Sequence, residues 1–344
     1  MEINSNSNPS LDSLREKINF FVKEGKVPEK YRAILEGFLE SYQAVVTSHG
    51  KDVKKHLPSF DLFLNFIQQQ FQKPYYFEPY HKRIKTPINY YKFGVDFLRP
   101  LVDLPHSTTG GLKHLSQMTS QLERGENVIL LANHQIEADP QAISVLLEDI
   151  APKFAEELIM VAGTRVTTDP LAIPFSMGCN LLCIHSKKYI DNPPDLKGEK
   201  QLHNKRTMQL MLELLSEGGH AIYVAPSGGR DRINDEGDIE VAPFDPQSVE
   251  MFYLMTQRAK RPSHFYTLSL STYHLLPPPE TTDTEIGETR ITHGGAIHLC
   301  FGPEVDMTTI PGLTSDLDKH EKRKHRAEFL WRQVKDNYDK FPES

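Results

Sequence analysis

Apolar positions recur every three or four residues through the first seventy residues, then change rhythm. Leu14, Ile18, Phe21 and Val22 form one stripe; Ile34, Leu35, Phe38, Leu39, Tyr42 and Val45 form a second, closed by Gly50; Leu62, Phe63, Phe66, Ile67 and Phe71 form a third. Three helices, each with one apolar face, bury those faces against one another, so residues 1–76 are expected to form an N-terminal helical bundle. It carries no cluster of residues suited to catalysis, and its expected role is packing and shaping a surface for a partner. The stretch from Phe71 to Pro105 is rich in aromatic residues and proline, with Tyr75, Tyr76, Phe77, Tyr80, Tyr90, Tyr91, Phe93 and Phe97. Such a run can wall an apolar groove or pack as a connection between two parts of the chain.

Beyond it, short apolar runs alternate with helical stripes, the pattern of a wound sheet. Strands are predicted at Val128 to Leu131, Leu158 to Ala162, Asn180 to Ile184, His220 to Val224, Phe265 to Leu270 and Ala296 to Phe301. Met208, Met211, Leu212 and Leu215 mark a helix stopped by Gly218 and Gly219, and a charged helix is expected from about Ser315 to Tyr338. The expected fold class is α/β, with a largely parallel, mixed central sheet flanked by helices over residues 77–344.

Val128 to Leu131 is apolar throughout, as in a strand buried on both faces. Asn133, His134, Gln135, Glu137 and Asp139 follow at once, and Asp139-Pro140 before Ile143, Leu146 and Leu147 looks like an N-cap, a first-turn proline and a helix. His134 then lies in the loop leaving a strand's carboxyl end, where open α/β sheets bind ligands. On one continuous helix His134 and Asp139 would point roughly 140° apart; across a loop-to-helix turn the carboxylate can fold back onto the imidazole. An aspartate on one ring nitrogen fixes the tautomer and leaves the other nitrogen as a general base. Two alternatives stay open: Asp139 as a plain helix cap beside a structural histidine, and His134, Glu137 and Asp139 as metal ligands, although no second His or Cys has ligand spacing.

Two later loops are rich in anion-binding groups. Lys187, Lys188 and Tyr189 follow one predicted strand; Ser227, Gly228, Gly229, Arg230 and Arg232 follow another. Glycines let backbone amides approach an oxyanion, and arginines in an irregular loop can bind a phosphate through paired donors. With His134 on a third loop, these describe a pocket holding a small phosphorylated molecule beside a base. Ala225-Pro226-Ser227-Gly228-Gly229 lacks the G-x-S-x-G spacing of a nucleophilic serine, and no nucleotide-binding glycine loop occurs.

Composition narrows the setting. A net charge of −7 over 344 residues argues against nucleic acid as a partner. Three cysteines in this length fit a reducing compartment, with Cys179, Cys183 and Cys300 as small apolar fillers. No apolar run approaches the ~20 residues of a bilayer span, and the amino terminus has neither signal-peptide nor transit-peptide character. A soluble monomer is expected, with at most peripheral membrane contact.

The motifs together carry a resemblance. NHQIEADP resembles the H-x4-D box of glycerolipid acyltransferases, and in its extended form that of the soluble, plastid-type glycerol-3-phosphate acyltransferases, found in plants and in chlamydia-like bacteria. GTRVTTDPLAIPFSMGCNLLCIHSKK from Gly163 to Lys188, VAPSGGRDR from Val224 to Arg232, and TLSLSTYHLLPPP from Thr267 to Pro279 are similar to further blocks of that family, in order. The resemblance implies acyl transfer from acyl carrier protein or a coenzyme A thioester to the sn-1 hydroxyl of sn-glycerol 3-phosphate. It implies His134 as base, Asp139 as its partner, and Lys188, Arg230 and Arg232 on the phosphate. The loops themselves add Lys187, Ser227, Gly228 and Gly229 as phosphate-binding candidates, with Asn133, Glu137, Arg165 and Tyr189 as possible additions. The resemblance calls for no metal and no cofactor. Tyr189 stands where the plant enzymes have a histidine, replacing a charge by a phenol that can still donate. The compartment would be bacterial cytoplasm or, for a processed plant enzyme, the plastid stroma. An acidic carrier would dock on Lys197, Lys200, Lys205 and Arg206, or on Lys319, Lys322, Arg323, Lys324 and Arg326. Competing readings are a lysophosphatidate acyltransferase, a metal-dependent phosphohydrolase and a non-catalytic lipid- or carrier-binding protein.

Overall fold

The structure, a computed structural model, describes residues 9–186, 190–279 and 287–342. Its centre is an eight-stranded sheet. Chain order gives β1 (Tyr80–His81), β2 (Thr108–Gly110), β3 (Asn127–Ala132), β4 (Ile159–Ala162), β5 (Asn180–Cys183), β6 (Ala221–Val224), β9 (Ser263–Ser271) and β10 (His298–Phe301), while β7 (Arg232–Ile233) and β8 (Ile239–Glu240) form a separate hairpin. Spatial order is β1-β5-β4-β6-β3-β9-β10-β2. The run β5-β4-β6-β3-β9 is parallel and the pair β10-β2 is parallel; β1 against β5 and β10 against β9 are antiparallel.

β3 is central, and its alternating side chains feed two cores. Val128, Leu130 and Ala132 join one cluster; Ile129 and Leu131 join the other, and all five are fully buried. Two-sided burial explains why its sequence shows no polar alternation. The first cluster lies under α1 (Leu11–Lys23), α2 (Tyr31–Ser48), α3 (Leu57–Gln72), α4 (Tyr90–Leu98), α5 (Leu112–Glu123), α6 (Asp139–Leu147) and the short helices α7 (Pro152–Glu157), α8 (Thr164–Thr168) and α9 (Ile173–Ser176). The second lies under α10 (Lys197–Glu217), α11 (Pro246–Arg258) and α12 (Lys319–Tyr338). The apolar faces of the N-terminal helices are continuous with the sheet's own core rather than closed on themselves. Phe38, Phe60, Phe63, Phe93, Phe97 and Phe175 stack edge-on or tilted with centroids 5.1–6.0 Å apart. The aromatic stretch thus joins the bundle to the sheet.

Two predicted helix starts move. The last helix begins at Lys319, because the Asp318 carboxylate accepts from His320 N–H and Glu321 N–H while Glu321 reaches back to Asp318 N–H. In α6 the cap position is Ala138, not Asp139. Asp139 is the first helical residue, and its carboxylate turns backwards into the preceding loop. Among the described residues no helix is long and apolar enough to cross a membrane.

Candidate active site

The loop from β3 to α6 is held by side chains that bond to backbone. Asn133 is fully buried; its amide donates to Leu270 carbonyl at 2.9 Å and its oxygen accepts from Leu270 N–H at 2.8 Å, tying β3 to β9 past the end of their ladder. Gln135 is also fully buried and accepts from Thr272 N–H and Tyr273 N–H at 2.6 and 3.0 Å. With both neighbours pinned, His134 projects from a rigid turn.

Asp139 closes that turn. His134 Nδ1 lies 2.8 Å from Asp139 Oδ2, which also accepts Gln135 N–H at 2.9 Å, while Thr272 Oγ1 donates to Oδ1 at 2.5 Å. Every neighbour donates, so the site is built for an ionised carboxylate, and the proton of the imidazole contact sits on Nδ1. In the neutral ring with that tautomer, Nε2 carries the lone pair. Asp139 is 1% exposed and the His134 side chain 29%, so the pair is protected yet reachable.

The loop after β6 is pressed onto the same turn. Asp231 N–H donates to the His134 carbonyl at 2.7 Å. The Asp231 carboxylate accepts from Asn133, Gln135 and Ala242 N–H. Burial pushes its carboxyl up to about 6, against the pull of those donors and of His134. Asp231 is thereby fixed against the turn that carries His134, and Arg230 and Arg232 flank it in the chain.

Four arginines gather there. Arg230 Nη2 donates to both oxygens of Glu288 at 3.1 Å, and Arg165 Nη1 pairs with Glu288 Oε1. Arg290 Nη2 bridges Glu137 and Asp169, at 2.8 Å each. Arg232 Nη1 donates to the Pro279 carbonyl at 2.8 Å. Burial lowers the Arg232 value, and Arg230 adds to the effect. Burial works to raise Glu137, but Arg290, then Arg230 and Arg165, overcome it and leave the carboxyl below its ordinary range. These interactions put the guanidinium groups within electrostatic reach of one another.

An apolar cavity of about 140 Å³ opens beside the dyad. His134, Glu137, Asp139 and Arg290 lie on its polar wall; Phe38, Phe63, Phe97, Leu101, Val166 and Phe175 lie on its apolar walls. The first three of those apolar residues come from the helices before β2, so the N-terminal region shapes the site itself. Glu137 Oε1 and Gln141 Oε1, both buried, have no hydrogen-bond partner among the described residues.

The sequence profile of the Acyltransferase family matches residues 114–271, which span the dyad and the β6 loop. The chain is 36% identical over 323 residues to the chloroplastic glycerol-3-phosphate acyltransferase of Arabidopsis thaliana, covering 92% of this chain and 69% of that protein. It is 35% identical over 334 residues to the enzyme of the same name from Spinacia oleracea, covering 96% and 70%, and 37% identical over 322 residues to that of Pisum sativum, covering 92% and 70%. The chain belongs to the glycerol-3-phosphate acyltransferase family.

In this acyltransferase the structure brings His134, Asp139, Glu137, Arg165 and Arg230 to one place, with Arg232 alongside on its own partner. Ser227 donates its hydroxyl to the Gly229 carbonyl at 2.9 Å, and Gly228, at φ +69°, makes the turn with Gly229 exposed beside it. Asn133 is spent on support. Lys187, Lys188 and Tyr189 lie outside the described residues. In the open metal alternative, Glu137 would have to face His134; it faces Arg290 instead, and no group of three His, Cys, Asp or Glu side chains converges as a metal site among the described residues. Sequence reasoning named Gln135 only as one of the polar residues after β3 and missed Asp231, Thr272, Asp169, Glu288 and Arg290 as parts of the site. Asp231 had a signal, being an acidic residue between two arginines at a predicted strand end. Glu288 and Arg290 had none, since no strand end or glycine turn marks them.

Proposed function

We propose that the protein transfers a fatty acyl group from a thioester to the sn-1 hydroxyl of sn-glycerol 3-phosphate, with His134 as general base. The observation that carries the reading is the His134–Asp139 dyad, placed between an apolar cavity and a group of arginines. A substrate pair with a long hydrocarbon on one partner and a phosphate on the other matches those two flanks. Nε2 of His134 removes the hydroxyl proton as that oxygen attacks the thioester carbonyl, and Asp139 supports the imidazolium so formed. Collapse of the tetrahedral adduct expels the thiolate, which takes the proton back from Nε2. Neither an acyl-enzyme nor a metal enters this sequence.

Arg165, Arg230 and Arg232, with Lys187 and Lys188, hold the phosphate and so select which hydroxyl meets the base. Glu137 Oε1, buried and unpartnered among the described residues, is an acceptor for a second hydroxyl of the polyol. The acyl chain occupies the cavity walled by Phe38, Phe63, Phe97 and Phe175.

For the donor, the start of α10 is the better landing site for an acidic carrier. Lys205 and Arg206 are exposed there beside exposed Leu202. On α12, Arg326 is buried and donates to the Met307 carbonyl and Glu250, and Arg323 also pairs with Glu250, so part of that basic run is internal structure. The chloroplastic names of the relatives support a plastid-stroma setting.

The test is acylation of radiolabelled glycerol 3-phosphate, run with carrier-protein and coenzyme A thioesters, on the intact protein and on His134→Ala. Turnover should vanish in the variant with both donors while calorimetric binding of glycerol 3-phosphate survives. Turnover near the wild-type rate in a folded His134→Ala ends the proposal.

A further inference from the structure

Glu288 lies just past the last described gap, in a stretch with no regular secondary structure, yet it is only 3% exposed. Its carboxylate meets Arg230 and Arg165 at once. A carboxylate in an arginine group can imitate the incoming anion and keep it out, or can hold the guanidinium groups where that anion needs them.

The geometry separates the two. An imitator takes the two-nitrogen edge of a guanidinium, because that edge matches the paired oxygens of carboxylate and phosphate alike. Glu288 instead places both oxygens on the single Nη2 of Arg230, leaving Nε and Nη1 unengaged by it. Its backbone is also tied down. Arg290 Nη1 donates to the Glu288 carbonyl at 3.1 Å, and Arg290 is itself fastened to Glu137 and Asp169. A buried residue whose carbonyl is held by a doubly ion-paired arginine is not built to swing away when substrate arrives.

Charge points the same way. Arg230 and Arg165 both repel the Arg232 guanidinium, and Glu288 offsets that repulsion. Without Glu288, guanidinium groups this close repel one another into solvent and lose their preorganisation.

We propose that Glu288 is a positioning residue, which bridges Arg165 and Arg230 and holds Nε and Nη1 of Arg230 ready for the substrate phosphate. The proposal rests on the assignment of those arginines to the phosphate made above.

The experiment varies glycerol 3-phosphate at saturating acyl thioester for the wild type, Glu288→Gln, Glu288→Asp and Arg230→Ala, with calorimetric binding of glycerol 3-phosphate and thermal melts on each. Glu288→Gln should raise KM and the calorimetric Kd together by on the order of tenfold, the worth of a charge-assisted hydrogen bond, with kcat within about threefold of wild type. Glu288→Asp, which keeps the charge but loses a methylene of reach, should fall between the two, and it carries the test alone if Glu288→Gln fails to fold. A fall in KM for Glu288→Gln would make Glu288 a competitor of the phosphate, and an unchanged KM in a folded variant would make it scaffold only; either result overturns the proposal. Arg230→Ala keeps the two ideas apart. If it leaves KM unchanged, the phosphate assignment fails; if it raises KM while the Glu288 variants do not, only the role of Glu288 fails.

Discussion

Asp139→Asn isolates what the buried carboxylate does for His134. The substitution preserves shape and most hydrogen bonds. With its oxygen toward His134 Nδ1 and Gln135 N–H, the new amide still accepts from both, and its NH2 can donate to Thr272 Oγ1, whose hydroxyl rotates to accept. The tautomer with Nε2 unprotonated is therefore kept, and the main loss is charge. Contact at 2.8 Å sets the centres of imidazolium and carboxylate roughly 4 Å apart, and at an effective dielectric near 20 that is about 4 kcal/mol. The imidazolium exists only after the proton has moved, so the loss falls on the chemical step. Four kcal/mol corresponds to about a thousandfold in kcat. On the proposed reading the arginines hold glycerol 3-phosphate by its phosphate, so its KM should change little. Initial rates of thiol release at saturating substrates measure the effect, with calorimetric binding of glycerol 3-phosphate as the control for folding. If Asp139→Asn keeps kcat within about tenfold of wild type, the charge of Asp139 is not supporting an imidazolium, and the general-base reading loses its electrostatic half.

Two further outcomes are expected. Asp231, pushed by burial from 3.8 to about 6, keeps in the folded chain a proton that the unfolded chain releases between about pH 4 and 6. Its contribution to stability is thus present below that range and lost as pH rises through about 6, by about 3 kcal/mol. Urea unfolding of the wild type and Asp231→Asn at pH 4.5 and 7.5 should show the gap between the two proteins widening toward neutral pH in the variant's favour; a gap independent of pH contradicts the buried-carboxylate account. At the far wall of the cavity, Phe175→Ala removes a ring that packs on Phe63, Phe93 and Phe97. Donor competition should then shift toward longer acyl chains, each newly buried methylene adding about 0.8 kcal/mol, roughly fourfold in kcat/KM; an unaltered chain-length profile in the folded variant would remove the acyl chain from this cavity.

How much of this was legible beforehand follows from the range of the interactions. The apolar run from Val128 to Leu131 reports its burial directly, because a strand covered on both faces has no position where a polar side chain is tolerated. His134 and Asp139 were legible for a similar reason: they are five residues apart, and a proline after the aspartate marks where the loop must turn into helix. The glycines and arginines after Val224 stood out by composition alone as a candidate anion loop. Asp139 stayed open between a cap of its own helix and a partner of His134, because the two look identical in sequence. Only the neighbours it actually meets, His134, Gln135 and Thr272, tell them apart.

What the chain determined by itself is local: where strands are buried, where helices start within a few residues, and which short loops hold an imidazole, a carboxylate and cations. Tertiary structure alone decided which distant residues complete those loops. Glu288 reaches Arg230 across 58 positions, Arg290 reaches Glu137 across 153, and Thr272 reaches Asp139 across 133. The bundle helices wall the cavity for the same reason: their apolar stripes specify burial but not a partner. Hydrophobic burial carries no direction, whereas a hydrogen bond or an ion pair does, and its second member can be anywhere in the chain that the fold brings within about 3 Å.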